Sequence, residues 1–151
     1  MSLKSHIVVA SSKLGLEELL DKIPEKLCVQ LFSEEKIACK EQLEFGYLNA
    51  LKLHERGESR SKSLSMELLL CAAMTSQIGD AIKILGAKSN RGFVVFAENK
   101  RAYGSISKYL YRVSDFTLEK KEKERRVRRL GIASGKVEDL IQEIALHAMD
   151  R

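Results

Sequence analysis

Gly92-Phe93-Val94-Val95-Phe96-Ala97 is the stretch on which the fold turns. Four consecutive β-branched or aromatic residues behind a glycine leave no polar position for solvent, which predicts a central strand. Upstream, Ile78, Ala81, Ile82 and Leu85 stand at i, i+3, i+4 and i+7, a helical stripe that Thr75 or Ser76 can cap and Gly86 can stop. Met66 to Met74 is apolar nearly all round and suits a helix packed on several sides. Before it, Glu58-Ser-Arg-Ser-Lys-Ser-Leu-Ser65 has nothing to bury and predicts an exposed, mobile loop. Lys40 to Arg56 reads as a helix, with Leu43, Tyr47, Ala50, Leu51 and His54 on one stripe and Gly57 as the stop. Nearer the start, residues 6–10 are β-branched and Ser11-Ser12 can cap a helix carrying Leu16, Leu19, Leu20 and Ile23, which Pro24 ends. Lys26 to Phe32 alternates like a second strand, and Lys36 to Cys39 is a brief extended piece.

Downstream of the central strand, a helix is predicted from about Lys100 to Tyr111 and another from Glu119 to Leu130, where Val127 and Leu130 are almost the only apolar residues. Gly131 and Gly135 flank a break. The last helix carries Val137, Leu140, Ile141, Ile144, Ala145 and Ala148 on one face. Without an internal repeat or a linker, the pattern predicts one α/β domain over residues 1–151. Its small mixed sheet contains residues 6–10, 27–32 and 92–97 and is covered by helices.

The 151 residues, 44% hydrophobic and 31% charged, fit a globular chain. No apolar run approaches the roughly 20 residues of a membrane span, and Met1-Ser2-Leu3-Lys4 opens no secretory leader. Cys28, Cys39 and Cys71 are odd in number, widely spaced and flanked by apolar residues, as buried reduced thiols of a cytoplasmic protein are. They form no metal-ligand spacing with His6, His54 or His147, so no metal and no cofactor is expected. Charge is uneven. Residues 1–99 balance 13 basic against 13 acidic side chains, whereas residues 100–136 hold 12 against 4. A field of that local strength attracts polyanions.

No local motif frames a nucleophile, a base and an orienting carboxylate, so no catalytic residue is assigned. Gly86-Ala-Lys88-Ser89 imitates the end of a phosphate-binding loop, but it follows a helix and lacks the upstream glycine. A helix C-cap with a surface lysine is the better reading. Residues 66–86 also read as a DNA-binding helix-turn-helix, the alternative function, although Asp80 would then face phosphates. Between Lys120 and Arg129, seven cations within ten residues exceed what Glu119, Glu122 and Glu124 can neutralise, and phosphate contact is a fair expectation. On the last helix, Leu146 and Met149 add apolar surface off the main stripe, so one helix can face both a core and a partner.

The run Glu67-Leu-Leu-Leu-Cys-Ala-Ala-Met-Thr-Ser-Gln77-Ile78-Gly-Asp-Ala81-Ile82-Lys83-Ile-Leu-Gly86-Ala-Lys88 resembles the signature of the kinase-binding subunit of the KEOPS complex. An acidic residue opens an apolar helix, then Gln-Ile, Ala-Ile and Gly-x-Lys follow at fixed offsets before a strand. The chain departs from that pattern at Ala73-Met74, where Ser-Gly is expected. The resemblance implies a non-enzymatic accessory subunit of the machinery that installs threonylcarbamoyl-adenosine on tRNA, and the compact length looks archaeal. Such a subunit docks on a small atypical kinase/ATPase through apolar helix surface and captures the single-stranded 3′ CCA end of tRNA. Gln77, Lys83, Lys88 and Arg91 are the expected RNA contacts, with Arg60 and Lys62 of the polar loop behind them. Ile141, Ile144, Ala145 and Ala148 are expected at or near the partner surface.

Overall fold

In chain order the elements are β1 (His6–Ser12), α1 (Leu16–Asp21), β2 (Val29–Ser33), α2 (Lys40–Glu55), α3 (Leu64–Ala73), α4 (Ile78–Leu85), β3 (Phe93–Ala97), α5 (Lys100–Gly104), β4 (Leu110–Asp115), α6 (Lys120–Arg129) and α7 (Val137–Met149), with short 3-10 turns at Glu34–Lys36 and Ser107–Tyr109. The structure is a computed structural model that describes residues 4–149, and the Met1-Ser2-Leu3 start read above lies outside them. The four strands form one sheet in the order β2-β3-β1-β4. Every pairing is antiparallel, where mixed pairing was expected.

All five residues of β3 are buried, because helices cover both faces of the sheet. Val94 and Phe96 turn toward α2, α3 and α4 and meet Leu43, Tyr47, Leu68 and Leu85. Phe93, Val95 and Ala97 turn the other way, onto Leu19 of α1 and Ala102 and Ile106 beyond it. Burying a side chain such as Phe96 stabilises by about 1.5–3 kcal/mol. A third cluster joins the outer helices: Val127 of α6 packs with Ala38, Cys39, Leu140 and Ile144. The edge strand β2 is shielded where the start of α3 reaches it, through Val29 N–H donating to Ser65 Oγ (3.2 Å) and Gln30 Nε2 donating to the Ser65 carbonyl (3.0 Å).

Four local expectations change. The helix from Lys100 stops at Gly104, and the following residues make β4, an edge strand with five of six residues exposed. Only pairing with β1 defines it, through a register shift between Val9 and Ser11 and a left-handed Arg112 (φ 52). Ser11 and Ser12 belong to β1 and do not cap α1, whose N-cap is Gly15. On α2 the stripe continues to Leu53, and His54 is exposed. On α4 only Ala81 and Leu85 are buried, leaving Ile78 and Ile82 about two-fifths exposed.

Buried titrating groups make the fold sensitive to alkali. Burial lifts the Cys28 thiol from its ordinary 9.0 to about 12, with Glu98 adding to the rise, and lifts Cys39 to about 11. The Tyr47 hydroxyl, which donates to Glu98 Oε1 (2.9 Å), is raised as well by burial and by that carboxylate. The folded chain therefore holds the neutral forms while an unfolded chain ionises, so stability is complete below the ordinary thiol value and falls above it. The urea midpoint is expected to stay level up to about pH 8.5 and to drop steadily beyond it.

Candidate functional site

The turn between α3 and α4 is built around a buried ion pair. Glu67 lies in the apolar helix α3 with its side chain at 0% exposure, and Arg60 reaches it from the polar loop at 15%. The guanidinium donates from Nε and Nη2 to Glu67 Oε2 (3.1 and 2.9 Å), while the Arg60 backbone N–H donates to Oε1. Arg60 Nη1 also donates to the Thr75 carbonyl (3.1 Å), and Thr75 Oγ1 accepts from the Gln77 N–H (3.2 Å). A loop expected to be mobile is thus tied at Arg60 to the turn that presents Gln77. This corrects the reading of Arg60 as an RNA contact: its donors are engaged inside the protein. Lys62, two residues on, remains exposed.

Met74, at the departure from the Ser-Gly pattern, closes α3 in the left-handed conformation (φ 56, ψ 45). A glycine holds that conformation without a Cβ penalty. Here the side chain packs on the cluster with Leu130, Ile132 and Val137, which offsets the strain. At the other end of α4 glycine is required, since a Cβ on Gly86 would meet the Ile82 carbonyl oxygen at 2.6 Å.

Gln77 is the N-cap residue of α4, exposed and extended, with no cap bond from its side chain. Lys83 is exposed and lines a groove with Lys36, Ile84, Arg126 and Arg129, so that α4 and α6 share one basic cleft. Lys88 is exposed but folds back, its Nζ donating to the Ile82 carbonyl (3.0 Å) at the C-terminal end of α4. That is the C-cap arrangement expected for Gly86-Ala-Lys88-Ser89. Arg91 is exposed beyond it, in the turn that leads into β3. The site is therefore α4 itself, with Gln77 at one end, Lys88 at the other, and the uncovered isoleucines 78 and 82 along a flank.

On α7 the assignment of faces changes. Ile144 is fully buried and Ala148 nearly so, because α7 closes onto α2 and onto Val127 of α6. Ile144 offers no surface to a partner, which corrects its placement there, whereas Ala148 lines a groove with Ala145 and Met149, and Ile141 and Ala145 are half-buried at the margin. The outward apolar residues are Leu146, 49% exposed, and Met149, 81% exposed. Met149 and Ala145 line a groove with Asn49, Lys52 and Arg56 of α2 and the turn after it.

No three His, Cys, Asp or Glu side chains converge as metal ligands among the described residues. In the same residues no single helix is long and apolar enough to cross a membrane.

Residues 9–129 match the family described as kinase binding protein CGI-121. The chain belongs to the CGI-121 family. A curated relative, the KEOPS complex subunit Cgi121 of Pyrococcus abyssi (strain GE5 / Orsay), is 34% identical over 58 residues, which is 38% of this chain and 34% of that protein. The aligned stretch thus spans about a third of the relative's length. The CGI-121 match runs from β1 through α6 and leaves α7 outside it. Within the CGI-121 chain, sequence reading overlooked the Arg60–Glu67 pair. A lone acid in an apolar helix was the available signal, since a buried carboxylate needs a partner.

Proposed function

We propose that this chain is a non-catalytic, cytoplasmic accessory subunit of a KEOPS complex. It docks on the small atypical kinase/ATPase of that complex and helps bring in tRNA by its 3′ CCA end. Support for the kinase comes from the family's description and from the relative's place in KEOPS. Buried thiols at Cys28 and Cys39 suit a reducing compartment. The α4 surface carries the RNA part. It combines exposed cations, the unengaged Gln77 amide and uncovered apolar flanks, and an unstacked strand end needs all three, for phosphate, base edge and base face respectively.

Removing the CCA end from tRNA is expected to weaken binding at least tenfold, while changing the anticodon leaves it level, as titration with labelled transcripts reads out. Equal affinity for full and trimmed tRNA would rule end capture out. A helix-turn-helix reading of residues 66–86 finds less support, since the exposed side of α4 sets Asp80 beside Lys83, where an acid would face phosphates.

A further inference from the structure

The ten residues of α6 carry seven cations and only two acids, Glu122 and Glu124. Their cations divide by structural role. Arg126 is an anchor: its Nη1 donates to the carbonyls of Glu34 and Ile37 (3.0 Å to the latter) and its Nε to Glu122 Oε2 (2.7 Å). Arg125 also pairs with Glu122, donating from Nε to Oε1 (2.9 Å), and these arginines hold that carboxylate down at about 2. One acid is thereby spent on two arginines. Lys121, Arg128 and Arg129 are exposed, and among the described residues no acidic side chain pairs with any of them or with Lys83.

Lys121, Arg125 and Arg128/Arg129 fall at i, i+4 and i+7/i+8, so they stack into one outward stripe about 12 Å long. Arg129, at its end, lines the groove that Lys36 and Lys83 also line, and the stripe therefore runs on to α4 through a groove where four cations, Lys36, Lys83, Arg126 and Arg129, outnumber the single acid Glu35. The stripe has no exposed apolar residue, since Val127 is buried and Leu130 half-buried. Protein docking surfaces have an apolar centre depleted of charge, and this face is the reverse. Evenly spaced cations with nothing to read a base are what a phosphate backbone takes.

We infer that the outer face of α6, continued through Arg129 and Lys36 to Lys83, is a backbone track that holds the phosphates of the RNA adjoining the strand end bound at α4. The inference rests on the α4 reading only for direction; the track itself depends on charge and placement. It binds without sequence preference and contributes most of the salt dependence of tRNA binding.

The test compares the full-length chain with a Lys121→Gln/Arg125→Gln/Arg129→Gln variant, leaving the anchor Arg126 intact. Binding of tRNA, of CCA-trimmed tRNA and of a short single strand ending in CCA is titrated over a salt series, with thermal melts as a check on folding. The variant is expected to lose at least tenfold in tRNA affinity and to flatten the log K against log salt slope by roughly 2, since each phosphate contact contributes about 0.7–0.9. Its affinity for the short strand should not move. An unchanged slope, or equal losses on tRNA and on the short strand, would overturn the track. Loss of kinase binding with tRNA affinity intact would also overturn it and make α6 a protein surface. If trimming CCA has no effect but the variant still flattens the slope, end capture fails and the track stands. If the unaltered chain binds no tRNA, both fall.

Discussion

Replacing Glu67 with alanine is expected to destabilise the fold by about 3–5 kcal/mol, the usual consequence of stranding one member of a buried ion pair. The Arg60 side chain, only 15% exposed in the intact fold, would lose its carboxylate, and the Arg60 backbone N–H would lose its acceptor too. A domain of this size holds only about 5–15 kcal/mol in total, so urea unfolding should show a large shift in midpoint. Glu67→Gln, which keeps the shape and one acceptor, is expected to lose less. The double replacement Arg60→Met/Glu67→Leu should recover much of the loss, because it removes both charges together. If Glu67→Ala unfolds at the midpoint of the unaltered chain, the pair holds nothing together. On the proposed RNA-binding role of α4, the pair would act through geometry: it holds Thr75, and Thr75 holds the backbone of Gln77. Arg60→Met/Glu67→Leu should therefore restore stability better than it restores binding at α4.

What the sequence made legible follows from how each residue reports its surroundings. β3 declares itself because a strand covered on both faces has no room for a polar residue, and α3 because it is apolar nearly all round, with Glu67 the buried exception. β4 could not be read, since Tyr111 to Asp115 are exposed and what holds them is a neighbour's backbone, with no pattern of their own. The isoleucines of α4 have perfect helical spacing, yet spacing gives the direction of a side chain and says nothing of whether another element arrives to cover it. At α7 the stripe Leu140, Ile144 and Ala148 is a core signature, and Leu146 and Met149 mark the second face only because they break that period. The candidate RNA cations were visible as residue types. Their division into anchors, such as Arg60 and Arg126, and free charges, such as Lys83 and Arg129, depends on carbonyls and carboxylates brought from other parts of the chain.

Introducing Glu at both Leu146 and Met149 is expected to weaken binding of the kinase subunit more than 100-fold while leaving the melting curve of the free chain in place. Each side chain is largely out of the core, so the free protein tolerates the charge, whereas a docked apolar face would bury it without a partner. Losses of about 2–4 kcal/mol are typical where such a position is central to an interface, and every 1.4 kcal/mol is tenfold. Ile144→Glu makes the contrast: that side chain is enclosed by Val127, Leu140 and Ala38, and the variant should fail to fold rather than fail to dock. The groove beside Met149 is rimmed by Lys52 and Arg56, so Lys52→Glu/Arg56→Glu should slow association and weaken its salt dependence if the docked surface is acidic. Calorimetric titration of the kinase subunit into each folded variant separates these effects. Undiminished affinity of the Leu146→Glu/Met149→Glu chain would move the interface off α7, and the uncovered flank of α4 at Ile78 and Ile82 would then be the next apolar surface to test for the kinase, in competition with RNA for the same helix.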